Sequence, residues 1–402
     1  MSNLKERASR VKDKKAAIGS DVELNEFSDI APAHECLDDL SSLSTSDQNV
    51  LRAVGMNVNE ENRSGTFLQM DHTACITKTL DPGVEVMSID AALEKHSWLK
   101  DYYWKAIQVD ADKYTSQAEL KRTSGYFLRA LPGSKVKFPL QSCLFIGEDK
   151  IAQNVHNIII VEEDADLHII TGCTVGSHVN KGLHLGVSEF YVKRNARLIF
   201  TMIHNWAEGI AVRPRSAGIL EENASFVSNY ICMRPVRSLQ MYPTSHLNGS
   251  NASARYNSIL FAPPGSELDV GGRVILRAPG SSAEVVSRAV TTGGKIWSRG
   301  QLVGMTPGIK AHLECNGLIL KEGGMIKAIP ELEAQSPDVI MSHEAAVGKI
   351  AQEEIEYLMA RGISEEEATA LIVRGFVDIK IEGLGPELEN ELDRVLKQGK
   401  GF

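Results

Sequence analysis

The sequence predicts a mainly β protein, a parallel β-helix (solenoid) core with flanking α-helical N- and C-terminal regions. Three observations predict it. Short β-rich runs follow one another from about 136 to 333, an alanine motif recurs among them at near-constant intervals, and helical patterning lies on either side. The chain has 402 residues, more than one compact core usually holds, and it divides into an N-terminal helical and mixed region (1–135), the β-helix core (136–340) and a C-terminal helical domain (341–402).

Residues 1 to about 60 read as helical, with Leu37, Leu40, Leu43, Leu51 and Val54 at roughly helical spacing among Asp, Ser and Glu. Gly65, Pro82-Gly83 and Pro132-Gly133 punctuate the mixed stretch that follows, and His96, Trp98, Tyr102, Tyr103 and Trp104 form an aromatic cluster around an expected helix, a packing feature. In the core, strands are expected over 157–161, 167–171, 189–192, 197–203, 226–232, 274–276 and 318–320, with Asn, Gly and Pro-Gly between them. No helix-length apolar pattern intervenes, which excludes βαβ units.

The motif alanines are Ala165, Ala196, Ala224, Ala252, Ala283 and Ala311, each after a small polar residue, a turn residue or Lys. One such unit cannot bury its own apolar face, whereas a stack of six or seven makes a continuous core. From Ser342 the texture changes. Glu344 to Met359 reads as a helix, Ser364 with Glu367 as a capping box opening a second one that stops at Gly375, and Pro386 opens a third.

Composition narrows function. A net charge of −9 argues against a nucleic-acid partner, and no run of about 18 uncharged apolar residues suggests a membrane span. The charged N-terminus lacks a signal-peptide core, so a cytoplasmic location is expected. There the six cysteines (Cys36, Cys75, Cys143, Cys173, Cys232 and Cys315) stay reduced, and most read as small buried hydrophobes. No phosphate-binding loop, dinucleotide fingerprint, HExxH or GxSxG occurs, so the chain reads as no enzyme of those classes.

Eight residues after successive motif alanines come Cys173, His204, Cys232 and Leu260, so Cys173, His204 and Cys232 are expected to stack in a column about 4.8 Å apart. It is either a core ladder with one satisfied histidine or a line of sulfur-handling groups. Cys315 lies 29 residues before Glu344, near one coil, which would bring it beside His343 or Glu344. Thiolate, imidazole and carboxylate together suit iron; a His-Glu pair at a helix start reads equally as a capping arrangement, since an acid there suits the helix dipole.

The run Ser342-His343-Glu344-Ala345-Ala346-Val347-Gly348-Lys349-Ile350, with Arg361-Gly362-Ile363-Ser364-Glu365-Glu366 and Ile372-Val373-Arg374-Gly375-Phe376, resembles the SufB/SufD family, scaffold subunits of the SUF iron–sulfur cluster assembly machine. Gly172-Cys173, Leu183-His184, Asn205-Trp206 and Glu314-Cys315-Asn316 support it. The resemblance covers about 140 to 380. It implies a right-handed parallel β-helix, dimerisation through that helix, and docking of a SufC-type ABC ATPase on the C-terminal helices. A transient cluster, usually [4Fe-4S], would form at the dimer interface and pass to apo iron–sulfur proteins, with ATPase activity in SufC and a reduced flavin in some complexes.

Residue by residue, Cys173 resembles the cysteine that accepts persulfide sulfur from a desulfurase or sulfide, and Cys315 the interface cysteine that receives it and binds the cluster. Glu344 and His343 resemble interface residues, as ligands for the cluster and its iron. Cys315 together with Glu344 is more SufB-like than SufD-like, and His204 stands where the family has Gln. The second subunit is a second copy or a SufD-like paralogue, and a reduced homodimeric SufBD form is the expectation. Two alternatives use the same fold: a carbohydrate-active enzyme with Arg194, Arg197, Arg213 and Arg215 on the outer groove, or a purely structural adaptor.

Overall fold

The computed structural model describes residues 2–377, so the helix expected from Pro386 lies outside the described residues. Two long sheets face each other. The first runs through Gly65–Met70, Leu140–Ile146, Asp166–Val175, Arg197–Asn205, Ser225–Cys232, Ser253–Ala262, Ser282–Thr291, Ile309–Ile319 and Val339–Gly348, each parallel to the next. The second runs from Tyr126–Ala130 through Ala152–Val161 and Lys181–Val192 to Glu267–Leu276, Lys295–Gly304 and Met325–Ala334. The chain alternates between them, which makes a parallel β-solenoid of about eight turns.

The motif alanines explain the corners. Asp164, Asn195, Asn223 and Asn251, each just before one, adopt φ between 54° and 59°. Asn and Asp tolerate that left-handed conformation better than other side-chain-bearing residues. Their amides also stack: Asn195 Nδ2 donates to Asp164, Asn223 to Asn195 at 2.9 Å, and Asn251 to Asn223 at 3.3 Å. Ala165, Ala196, Ala224 and Ala252 turn inward at the corner, fully buried, where a larger side chain would not fit.

Inside the coils Leu140, Ile159, Leu167, Ile169, Phe190, Leu198, Phe200, Phe226, Leu268 and Leu302 form one continuous core. Both sheets are covered outside as well. Leu40, Leu51, Val54 and Met56 lie over the first sheet's Cys143, Ile170 and Ile203, and Ala368 and Val373 join the same cluster with Ile231 and Ile259. The segment around Ile89–Ile107 covers Phe127, Ile158, Ile160 and Tyr191 of the second sheet, and Val22, Phe27 and Tyr114 cover Leu183 and Leu185. Sheets buried on both faces favour the Val/Ile/Leu runs seen here.

Three expectations are corrected. Helix within 1–60 is confined to Ser2–Arg10, Thr45–Arg52 and two short 3₁₀ turns, and most of the rest is an extended strap. Buried Arg213 fixes that strap, donating to the Ser20 carbonyl at 2.8 Å, while Lys113 donates to the Val22 carbonyl at 2.7 Å. The solenoid also begins earlier than 136, because Gly65–Met70 already pairs parallel with Leu140–Ile146. Lastly, Val339–Gly348 is the final strand and not the start of a helix, since it pairs along its length with Ile309–Ile319; the helix begins at Gln352. The Ser364–Glu367 capping box is present, and its helix, Glu365–Val377, runs two residues past Gly375.

Candidate functional site

The predicted column exists. Cys173 pairs with His204, His204 with Cys232, and Cys232 with Leu260. Cys173 and Cys232 belong to the solenoid core. Cys315 also faces inward, two positions across the sheet, in a column that runs Tyr230, Ser258, Ser287, Cys315 and Ala345. Every step between Cys173 and Cys315 therefore lies along the interior of one set of coils.

That interior is unusually polar for a core. His184 Nδ1 is 2.9 Å from Gln153 Oε1, the His184 and Trp206 rings are 5.2 Å apart, and Trp206 and His204 are again 5.2 Å apart. His204 Nδ1 then meets the Tyr230 hydroxyl at 2.8 Å. His204 Nε2, Trp206 Nε1 and Ser287 Oγ are buried with no protein partner. Unpaired buried polar atoms carry a cost of about 1–3 kcal/mol each, so a thread of them in a core calls for a role. Sequence reading placed His204 in the column and quoted His184 and Trp206 only as matches of the resemblance; it missed Tyr230 and Ser287. Their signal was register: each occupies an inward position once the coils are aligned.

Burial sets the acid–base character. It pushes the Cys173 thiol far up, and the Cys232 thiol up to about 12 despite the neighbouring Tyr230 hydroxyl. The Cys315 thiol is raised by the same cause, opposed by the Ser298 hydroxyl, whose oxygen is 3.6 Å from the sulfur. His184 is lowered by burial to about 3, and His204 falls well below its usual value. The interior therefore disfavours charge at every one of these groups, and its thiols rest protonated.

Cys315 sits one coil from the end of the stack, 2 % exposed. Its register partner is Ala345, one residue beyond the Glu344 that the 29-residue spacing suggested. One residue reverses the side of a strand. Glu344 accordingly aligns with outward-facing Glu314, which accepts from Arg288 at 2.7 Å, while His343 aligns with inward Leu313 on the Cys315 side. Among the described residues no further coil lies above them, and His343 and Glu344 are exposed. Among the described residues, no three His, Cys, Asp or Glu side chains converge to hold a metal within one chain.

Three of the four arginines of the carbohydrate-enzyme alternative have other tasks. Arg213 is 1 % exposed, Arg215 pairs with Asp112 at 2.9 Å, and Arg194 pairs with Glu163 at 3.1 Å. Arg213 and Arg215 anchor the N-terminal segments and do not line an open groove. No helix among the described residues is long and apolar enough to cross a membrane.

Comparison with known proteins agrees with this geometry. The family described as "SUF system FeS cluster assembly, SufBD core domain" matches residues 144–376. An iron–sulfur cluster assembly SufBD family protein of Methanothermobacter thermautotrophicus is 48% identical over 396 residues, 97% of each chain. One from Archaeoglobus fulgidus is 48% identical over 354 residues, covering 88% of this chain and 95% of the relative. The iron–sulfur cluster assembly protein SufB of Bacillus subtilis is 32% identical over 320 residues, 78% of this chain and 68% of that protein. The solenoid, its inward cysteines and these similarities lead to one conclusion: the chain belongs to the SufBD family of iron–sulfur cluster assembly proteins.

Proposed function

We propose that this chain is a cluster-assembly scaffold that takes sulfur as a persulfide on Cys173, delivers it through the coil interior to Cys315, and builds a nascent cluster at a seam between two copies. The observation that carries the proposal is that Cys173 and Cys315 point into the same buried interior, with Cys315 one coil from the last described strand. A persulfide is open to nucleophiles and oxidants in water, and a buried route protects it. Cys173→Ser is expected to leave the fold intact and prevent sulfur from reaching Cys315. Persulfide mapping by mass spectrometry checks this, and unchanged loading of Cys315 would sink the route.

The uncovered end supports a second copy as the partner. Among the described residues, Met325–Ala334 and Val339–Gly348 are the last strands of their sheets, unpaired on their outer edges, with Leu332, Ile340 and Val347 exposed. Natural proteins seldom leave such edges open. Two copies meeting there would bring two Cys315, His343 and Glu344 sets to one seam. The cluster is cargo: one thiolate per copy with exchangeable nitrogen or oxygen ligands holds it firmly enough to form and loosely enough to leave. A [4Fe-4S] product is the proposal.

A SufC-type ATPase is proposed to dock on the helices Gln352–Met359 and Glu365–Val377. Tyr357, Met359 and Leu371 are exposed there, and the helices rest on the first sheet through Ile355, Ala368 and Val373. ATP-driven movement of this element would shift the seam between closed and open populations. Truncation after Ile350 is expected to abolish ATPase binding in a pull-down; undiminished capture would remove this role from the helices.

A further inference from the structure

Cys232, Tyr230 and His204 form a contiguous buried group to which delivery from Cys173 to Cys315 assigns no task. His204 is the register partner of Cys173 on one side and of Cys232 on the other. The Tyr230 hydroxyl is 2.8 Å from His204 Nδ1 and lies beside the Cys232 thiol, which at rest donates to the Arg234 carbonyl at 4.0 Å. His204 Nε2 is fully buried and has no protein partner. A cavity of ≈ 20 Å³ lies beside Tyr230, lined also by Met202, Phe226 and Ser258, with room for about one small atom or water.

We propose that Cys232 is an intermediate sulfur acceptor between Cys173 and Cys315, with Tyr230 and His204 carrying the proton that its attack releases. This rests on the delivery reading above. Two coils separate the thiols, so their Cα atoms stand about 9.6 Å apart. A direct disulfide needs less than about 7 Å, so the two cannot close into a dead-end cystine. A persulfide adds about 2 Å of reach, which brings its terminal sulfur toward the next thiol. The spacing thus blocks direct oxidation of the pair, and handing sulfur on requires the two side chains to lean toward each other past His204.

The step balances. The Cys232 sulfur attacks the terminal sulfur of the Cys173 persulfide and a new S–S bond forms on Cys232. The old S–S bond breaks, and its electron pair leaves with the Cys173 sulfur. Sulfane sulfur changes owner, with no net oxidation or reduction. The Cys232 proton passes to the Tyr230 oxygen, the Tyr230 proton to His204 Nδ1, and the Nε2 proton to the departing Cys173 sulfur. His204 changes tautomer and never becomes charged, as its burial requires.

The test loads the full-length protein anaerobically with inorganic polysulfide, quenches by alkylation at intervals, and locates sulfur by peptide mass spectrometry. In the wild type sulfur is expected on Cys173 first, then Cys232, then Cys315. Cys232→Ser should load Cys173 normally and lower Cys315 loading by an order of magnitude or more. Tyr230→Phe keeps the ring and should slow only the Cys173-to-Cys232 step, removing its solvent isotope effect. Wild-type loading of Cys315 in Cys232→Ser, or a wild-type time course in which Cys232 never carries sulfur, would overturn the relay. Absence of sulfur from Cys173 in the wild type would instead overturn the delivery reading on which the relay rests.

Discussion

Cys315→Ala is expected to abolish cluster assembly while the solenoid stays folded. The substitution removes one sulfur from a packed interior and leaves the Ser298 hydroxyl without its 3.6 Å contact. Both effects are small, together about 1–2 kcal/mol, against a stack of coils held by a continuous core. The chemical loss is far larger. Cys315 is the only thiol of the final coils; Met341 on the last strand offers a neutral thioether but no thiolate. Loss of even an outer-shell contact costs a metal site about 10- to 100-fold, so loss of the thiolate itself should exceed that. Iron and acid-labile sulfide after anaerobic reconstitution should fall to background, with the circular dichroism spectrum unchanged. Wild-type iron and sulfide in this variant would refute the assignment of Cys315.

The largest expected loss of stability comes from a residue with no part in the chemistry. Glu189 is fully buried on the outer side of the second sheet. One carboxylate oxygen accepts the Trp104 amide at 2.6 Å, the other accepts the Ala106 amide at 2.6 Å and the Ile107 amide at 3.3 Å, and His156 Nε2 lies 2.9 Å away. Trp104 itself adopts φ 57°, a conformation that these bonds hold in place. Glu189→Ala strips the acceptor from three amides and His156 at once. Breaking a buried, paired group in this way costs about 3–5 kcal/mol. The melting midpoint should drop and protease cleavage should appear near residues 102–107, while Glu189→Gln, which keeps the shape and one acceptor, should lose less. A Glu189→Ala protein that melts with the wild type would show that this loop is not pinned here.

The comparison between sequence and structure turns on register. The alanine motif was readable because a corner needs a small inward residue after a left-handed one, and Asn-Ala or Asp-Ala supplies both. The Cys173–His204–Cys232 column followed directly. The motif then slipped: Ala283 pairs with Ala254, not Ala252, and Ala311 follows Ala283. The turn position there passes to Gly280 and Gly308, with φ 70° and 77°, so the corner persists without its Asn-Ala signature. That slip hid the interior position of Ser287 below Cys315.

Val339–Gly348 was misread for a related reason. Its Glu-Ala-Ala stretch has local helix preference, but pairing with the preceding coil overrides it, and a coil's neighbour is not visible in a short window. Glu189 was equally hidden, read only as the first residue of a strand, because its partners come from residues 104–107 and 156.

Iron and sulfide added anaerobically to the wild-type protein, followed by visible absorption and sedimentation of the same sample, tests the seam most directly. Charge-transfer absorption should travel with a species of two chains and disappear when Ile340→Asp places a charge on the exposed final strand. Absorption that sediments with single chains, or a two-chain species that takes up no iron, would contradict a cluster built between copies.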